Sequence, residues 1–99
     1  MGDILDVSGN KMATIGEDNK VRDLQNVIIG SVLNNGEVFD IKGQKLGHVD
    51  GRGYVYEAGN HIGTVNSDGR VYDYENHWVG KISGGHIESG GAALLLLVR

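Results

Sequence analysis

Five carboxylates recur at one position of a repeating pattern: Asp6, Asp23, Asp40, Glu57 and Asp73. Each closes a triplet opened by a β-branched aliphatic: Ile4-Leu5-Asp6, Val21-Arg22-Asp23, Val38-Phe39-Asp40, Val55-Tyr56-Glu57 and Val71-Tyr72-Asp73. A rotational fold could gather these acids into a ring, and converging oxygens bind a hard divalent cation such as calcium. An acid at the end of a strand also has a commoner use, accepting hydrogen bonds from the amides of the next turn. That use explains the recurrence without a ligand, so no metal and no cofactor is assigned.

The aromatic residues are the sharper chemical clue. Phe39, Tyr54, Tyr56, Tyr72, Tyr74 and Trp78 all fall between positions 39 and 78. All but Trp78 stand at odd offsets from the core valines, which puts them on the face opposite the core if the segments are strands. An aromatic sector of this kind can pair across strands, bury against a second copy, or stack on a sugar. The four histidines (His48, His61, His77 and His86) occupy four different repeat positions and show no metal-ligand spacing. They are expected to face solvent. Ser8, Ser31, Ser67, Ser83 and Ser89 lack the context of a nucleophile. Gly84-Gly85 and Gly90-Gly91 lack the strand–loop–helix setting of a phosphate cradle. Glu17-Asp18 reads as a solvated turn, and no catalytic residue is assigned.

The elements that must carry these residues follow from the spacing. Triplet starts lie 17, 17, 17, 16 and 16 residues apart, counting a degenerate sixth copy, Ile87-Glu88-Ser89. A fixed period means one small unit copied in tandem, here with starts at 4, 21, 38, 55, 71 and 87. Each unit has a second apolar piece: Met12-Ala13-Thr14-Ile15, Ile29-Gly30-Ser31-Val32, Leu46-Gly47-His48-Val49, Ile62-Gly63-Thr64-Val65 and Val79-Gly80-Lys81-Ile82. Pieces of about four residues rich in β-branched side chains suit strands, and no helical period runs through the chain. The links carry Gly9, Asn26, Gly43, Gly59 and Asn76 in one set and Asn19, Gly36, Gly53, Gly69 and Gly85 in the other. Only glycine and asparagine fill these places, as tight hairpin turns require.

The expected fold is therefore all-β: a single domain, residues 1–99, in which five to six short hairpins form a pseudo-symmetric closed meander of eleven or twelve strands. Closure removes the exposed edges that an open meander would leave. The expected core comprises Ile4, Val21, Val38, Val55, Val71 and Ile87, with both aliphatics of each second piece. Those two stand three apart, so a bulge at the intervening glycine would be needed to turn both inward. Leu95-Leu96-Leu97-Val98 has no polar alternation and is expected to be a buried closing strand or a central plug.

Bulk properties narrow the function classes. The net charge is −4, and basic residues are scattered singly, against the clustered lysine and arginine of a nucleic-acid surface. Cysteine and proline are absent, which removes thiol chemistry and any disulfide framework. The longest aliphatic run, with Ala92 and Ala93, reaches seven residues, far short of the about 20 of a spanning helix. Met1-Gly2-Asp3-Ile4 lacks the pattern of a signal peptide, so a cytoplasmic location is expected.

The Val-Tyr-Asp type triplets, the glycine or asparagine turns after them and the Ile-Gly-x-Val pieces together resemble the small bacterial β-flower repeat domains. In these, short hairpins radiate around a pseudo-rotational axis. The resemblance covers about residues 4 to 89 and implies a fold but no established activity, so no functional residues carry over. MORN repeats and choline-binding repeats look less similar: the Gly-x-Trp and paired Tyr-Gly signatures are missing, and Trp78 is the single tryptophan. The function expected is a non-enzymatic structural or protein-interaction module, with a homo-oligomer or another protein as partner. Its expected surface is Phe39, Tyr54, Tyr56, Tyr72, Tyr74 and Trp78. The alternatives are a carbohydrate-binding module on that same sector and a divalent-cation-binding domain on the acidic ring.

Overall fold

Ten short strands follow one another with tight turns between them in a computed structural model describing residues 1–99. They are β1 (Gly2–Leu5), β2 (Lys11–Ile15), β3 (Lys20–Arg22), β4 (Ile28–Val32), β5 (Glu37–Asp40), β6 (Lys45–Val49), β7 (Tyr54–Glu57), β8 (Asn60–Val65), β9 (Arg70–Asp73) and β10 (Trp78–Gly84). Every strand pairs antiparallel with its neighbours in sequence, and β1 also pairs with β10, closing a barrel. The turns after β1, β3, β5, β7 and β9 therefore lie at one end, called here the tip end. Those after β2, β4, β6 and β8 lie at the other, the base end. The molecule measures 30 × 29 × 19 Å. Two nearly equal long dimensions and one short one are what five like hairpins around a central axis produce.

The alternation of a strand decides what lines the barrel. Ile4, Val21, Val38, Val55 and Val71 point inward and are fully buried. Across the four base turns and the β10–β1 seam they face Ile15, Val32, Val49, Val65 and Ile82, all buried: Ile15 sits opposite Val21, Val32 opposite Val38, and so on round to Ile82 opposite Ile4. Each base turn is also stitched to the next. The amides of Val32, Val49, Val65 and Ile82 donate to the carbonyls of Asn19, Gly36, Gly53 and Gly69 at 2.7–2.9 Å.

A bulge recurs in all five hairpins. The register skips Met12, Ile29, Leu46, Ile62 and Val79, the residue just before the alanine or glycine each time. The sequence foresaw a bulge in each hairpin but set it one residue late, at the glycine, and misjudged its result. The bulged aliphatics are half-buried, and the inward position belongs to Ala13, Gly30, Gly47, Gly63 and Gly80, opposite the buried Ile4, Val21, Val38, Val55 and Val71.

The space left by those glycines is filled from the C-terminal segment. After β10 the chain enters helix α1 (Ile87–Ala93) and continues as a π-helical segment, Leu94–Val98. A Cβ built on Gly80 would meet Leu94 at 2.7 Å, one on Gly63 would meet Leu95 at 2.6 Å, one on Gly47 Leu96 at 3.0 Å and one on Gly30 Leu97 at 2.7 Å. Successive leucines thus address successive hairpins. A five-fold barrel asks for a fifth of a turn per residue. The wider i→i+5 winding, seen in the Arg99 amide donating to the Leu94 carbonyl at 3.1 Å, comes nearer to that than an α-helix does. Val98 also packs on the core, next in line for hairpin β1–β2, where the larger Ala13 replaces glycine.

The leucine run is therefore a central plug, not a closing strand. The sixth copy forms no hairpin, Ile87 is only half-buried at the start of α1, and the strands number ten.

Candidate functional site

Four of the five ring carboxylates do the same local work. Asp6 Oδ1 accepts from the amides of Ser8 and Asn10, Asp23 Oδ1 from Gln25 and Val27, Asp40 Oδ1 from Lys42 and Gln44, and Asp73 Oδ1 from Glu75 and His77, all at 2.9–3.0 Å. Each is an Asx cap holding a three-residue tip turn. Asp50 does the same for Arg52 and Tyr54 in a base turn. Hydrogen bonds from the amides of His77 and Glu75 hold the Asp73 carboxyl below its ordinary range, against the opposing effect of burial.

Glu57 stands apart. Its turn is the two-residue Ala58-Gly59, with φ of 50° and 82°, and Glu57 pairs directly with Asn60. The missing turn residue is what shortens the spacing from Val55 to Val71. The ring does not converge on a common point: the single group of three potential metal ligands within 4.8 Å is Asp73, Glu75 and His77, all within one tip turn. The Asp73 and His77 members lie 3.4 Å apart as an ion pair when the imidazole is protonated.

The six aromatic residues lie outside the barrel, as strand alternation requires, but in four places rather than one. The first is the wall over β6, β7 and β8. Tyr56 stacks on His48 with ring centroids 5.0 Å apart and planes 14° from parallel, and His61 lies 5.7 Å from Tyr56 and 5.3 Å from Tyr54. Further round, Tyr54 sits opposite Thr64, Thr64 opposite Tyr72, and Tyr72 opposite Trp78, making one row across four strands. Trp78 donates its indole N–H to the Gly80 carbonyl at 2.8 Å, and the Arg70 guanidinium lies 5.6 Å from its ring centroid. Phe39 sits away from this row, on β5 opposite Ser31 and Lys45. Tyr74 is on a tip turn.

Sequence reasoning missed His48 and His61 as members of the wall. It compared equivalent positions down the repeat, whereas contact runs across it. The register through the base turn, Val49 opposite Val55, already places His48 beside Tyr56.

A second surface was also missed, though its signal is plain. The residue after each carboxylate is Val7, Leu24, Ile41, Ala58 and Tyr74. All five are exposed at the tip end, the four large ones by 47%, 66%, 63% and 70%. At the middle of that end the half-buried Leu95, Leu96, Leu97 and Val98 add to this apolar surface, with the exposed Arg99 after them. The base end is polar. Asn34, Asn35, Asp50, Glu88 and Ser89 line a shallow open depression there. No protein-family model, no curated protein and no solved structure matches this chain.

Proposed function

We propose that this protein is a non-enzymatic structural or protein-interaction module that self-associates, built as a closed barrel of the β-flower type. The observation that carries the reading is the plug. Residues 90–94 are buried and Leu95–Val98 pack against the core, so the lumen where a small barrel would hold a ligand is filled by its own chain. Recognition then falls to the outside, and exposed aliphatic side chains repeated around one end favour a protein surface as the partner. Sedimentation velocity from low to high micromolar concentration is the direct test. A concentration-dependent dimer is expected. A monomer throughout that range removes self-association.

A second reading is favoured by one observation. In the row Tyr54–Thr64–Tyr72–Trp78 the two ends stay 38% and 46% exposed, which leaves ring faces on which a sugar could stack. Trp78 is the sole tryptophan, so its fluorescence reports on that row alone. Titration with oligosaccharides should shift the emission if the row is a glycan platform, and an unmoved spectrum discards it.

A further inference from the structure

We propose that the tip end is an isologous interface on which a second copy of this chain sits face to face, with its two-fold axis passing through hairpin β7–β8. The proposal rests on the self-association reading and specifies where and how it occurs. The aromatic wall is the weaker candidate because Tyr56 already spends a face on His48 within its own chain. The tip end has no such internal partner: Leu24, Ile41 and Tyr74 are each exposed by more than 60%.

Size fits a second copy. A disc of 30 × 29 Å covers about 700 Å², close to the roughly 800 Å² that each partner contributes to a standard interface. A bilayer surface fits less well: Lys42 and Arg99 are outnumbered at this end by Asp6, Asp23, Asp40, Glu57, Asp73 and Glu75, where anionic lipid headgroups call for a basic cluster.

Charge then selects the geometry. Two five-petalled discs facing each other about a two-fold in their plane pair one hairpin with itself and the other four in crossed pairs. The second turn residues of the tips are Ser8, Gln25, Lys42, Gly59 and Glu75, so the set holds one cation and one anion. An axis through β5–β6 sets Lys42 on Lys42, and one through β9–β10 sets Glu75 on Glu75. An axis through β1–β2 or β3–β4 leaves both charges without a counterpart. Only the axis through β7–β8 brings Lys42 over Glu75, and symmetry makes that contact twice. The same axis sets Ile41 against Tyr74 and Val7 against Leu24, also twice. It places the shortest tip, Ala58-Gly59, at the two-fold, where the exposed Glu57 of each copy also meets its counterpart, so Glu57→Gln should tighten the dimer.

The test is a charge swap, read by sedimentation equilibrium on residues 1–99 with circular dichroism confirming the fold of each variant. Lys42→Glu and Glu75→Lys should each weaken dimerisation about tenfold, because each turns two attractive contacts into two repulsive ones. The double variant Lys42→Glu with Glu75→Lys should recover the wild-type dimer constant to within about threefold. Leu24→Asp should abolish the dimer, while Tyr56→Ser should leave its constant unchanged. A wild-type dimer indifferent to all three charge variants overturns this interface but leaves self-association standing. A wild type that stays monomeric at high micromolar concentration overturns both. A monomer that floats with phosphatidylcholine–phosphatidylserine vesicles would give the tip end to a bilayer and overturn the proposal likewise.

Discussion

Ala58 is the one side chain in the barrel that its backbone does not suit. It holds φ at 50°, where an ordinary L-residue costs about 1–2 kcal/mol and asparagine or glycine much less. Ala58→Asn should therefore raise the urea midpoint, by about 0.5–1 kcal/mol of stability with an unchanged slope. Gly47 poses the opposite case. A Cβ there would press on the Tyr56 carbonyl and meet Leu96 at 3.0 Å, so Gly47→Val should cost more than about 3 kcal/mol and leave an unfolded spectrum. Acid should act through the carboxylates held low. Asp18, hydrogen-bonded to Arg22, lies at about 2, and Asp73 is lowered by the His77 amide. A carboxyl lowered by folding stabilises the native state above its unfolded value of about 4, and that stability drains away as pH falls towards the folded value. The melting temperature should thus hold steady down to about pH 4.5 and fall between about pH 4 and 2. Asp73→Asn should flatten part of that fall. At this scale the sequence was highly legible. Every glycine and asparagine singled out as turn-forming has a positive φ except Gly85, whose neighbours Gly84 and His86 take that role. Glycine and asparagine mark backbone need locally, and no tertiary contact had to be known.

Among the elements, the plug carries the most weight. A hairpin of this length is unstable alone in water, and five of them close around nothing unless Leu94–Val98 supply the centre. A chain ending at Gly85 should be unfolded by circular dichroism. A synthetic peptide of residues 86–99 added in trans should restore strand signal, and failure to do so at high micromolar peptide would show that the plug needs its covalent link. This element was the least legible part of the fold. Gly90 and Gly91 are poor helix formers, and Ile87-Glu88-Ser89 imitates the strand triplet. Their reason is tertiary: a Cβ at Gly90 would meet Ile82 at 2.8 Å, and one at Gly91 would press into Val65. Helix propensity was given up for close approach to the barrel wall. The last interval of 16 residues is accordingly a coincidence of spacing, whereas the one before it records the missing turn residue at Ala58-Gly59.

For the whole molecule, closure was readable because a meander with exposed edges is a poor solution, and the strand order bears it out. The distribution of surface chemistry was not readable in the same way. Repeat alignment foresaw one aromatic sector, but barrel geometry divides it among a wall, a row, Phe39 alone on β5 and Tyr74 at a tip, and brings His48 and His61 into the wall. The consequence can be measured. Tyr56→Ser together with Tyr72→Ser should lower the melting temperature by the same amount at every protein concentration, since Tyr56 stacks within one chain. A loss that shrinks on dilution would return the wall to an intermolecular role.

The order in which the pieces are made adds one more consequence. During synthesis the chain emerges from its N-terminal side, at about 5–20 residues per second. All five hairpins leave the ribosome before Leu94–Val98, the segment that covers their inner faces. Until that segment docks, Ile4, Val21, Val38, Val55 and Val71 have no cover on the inner face of the hairpins, with no stable closed form available. The hairpins therefore stay aggregation-prone until this segment has cleared the ribosome, and nascent chains held there through a long spacer should resist protease when the spacer follows residue 99 and be cut when it follows residue 85.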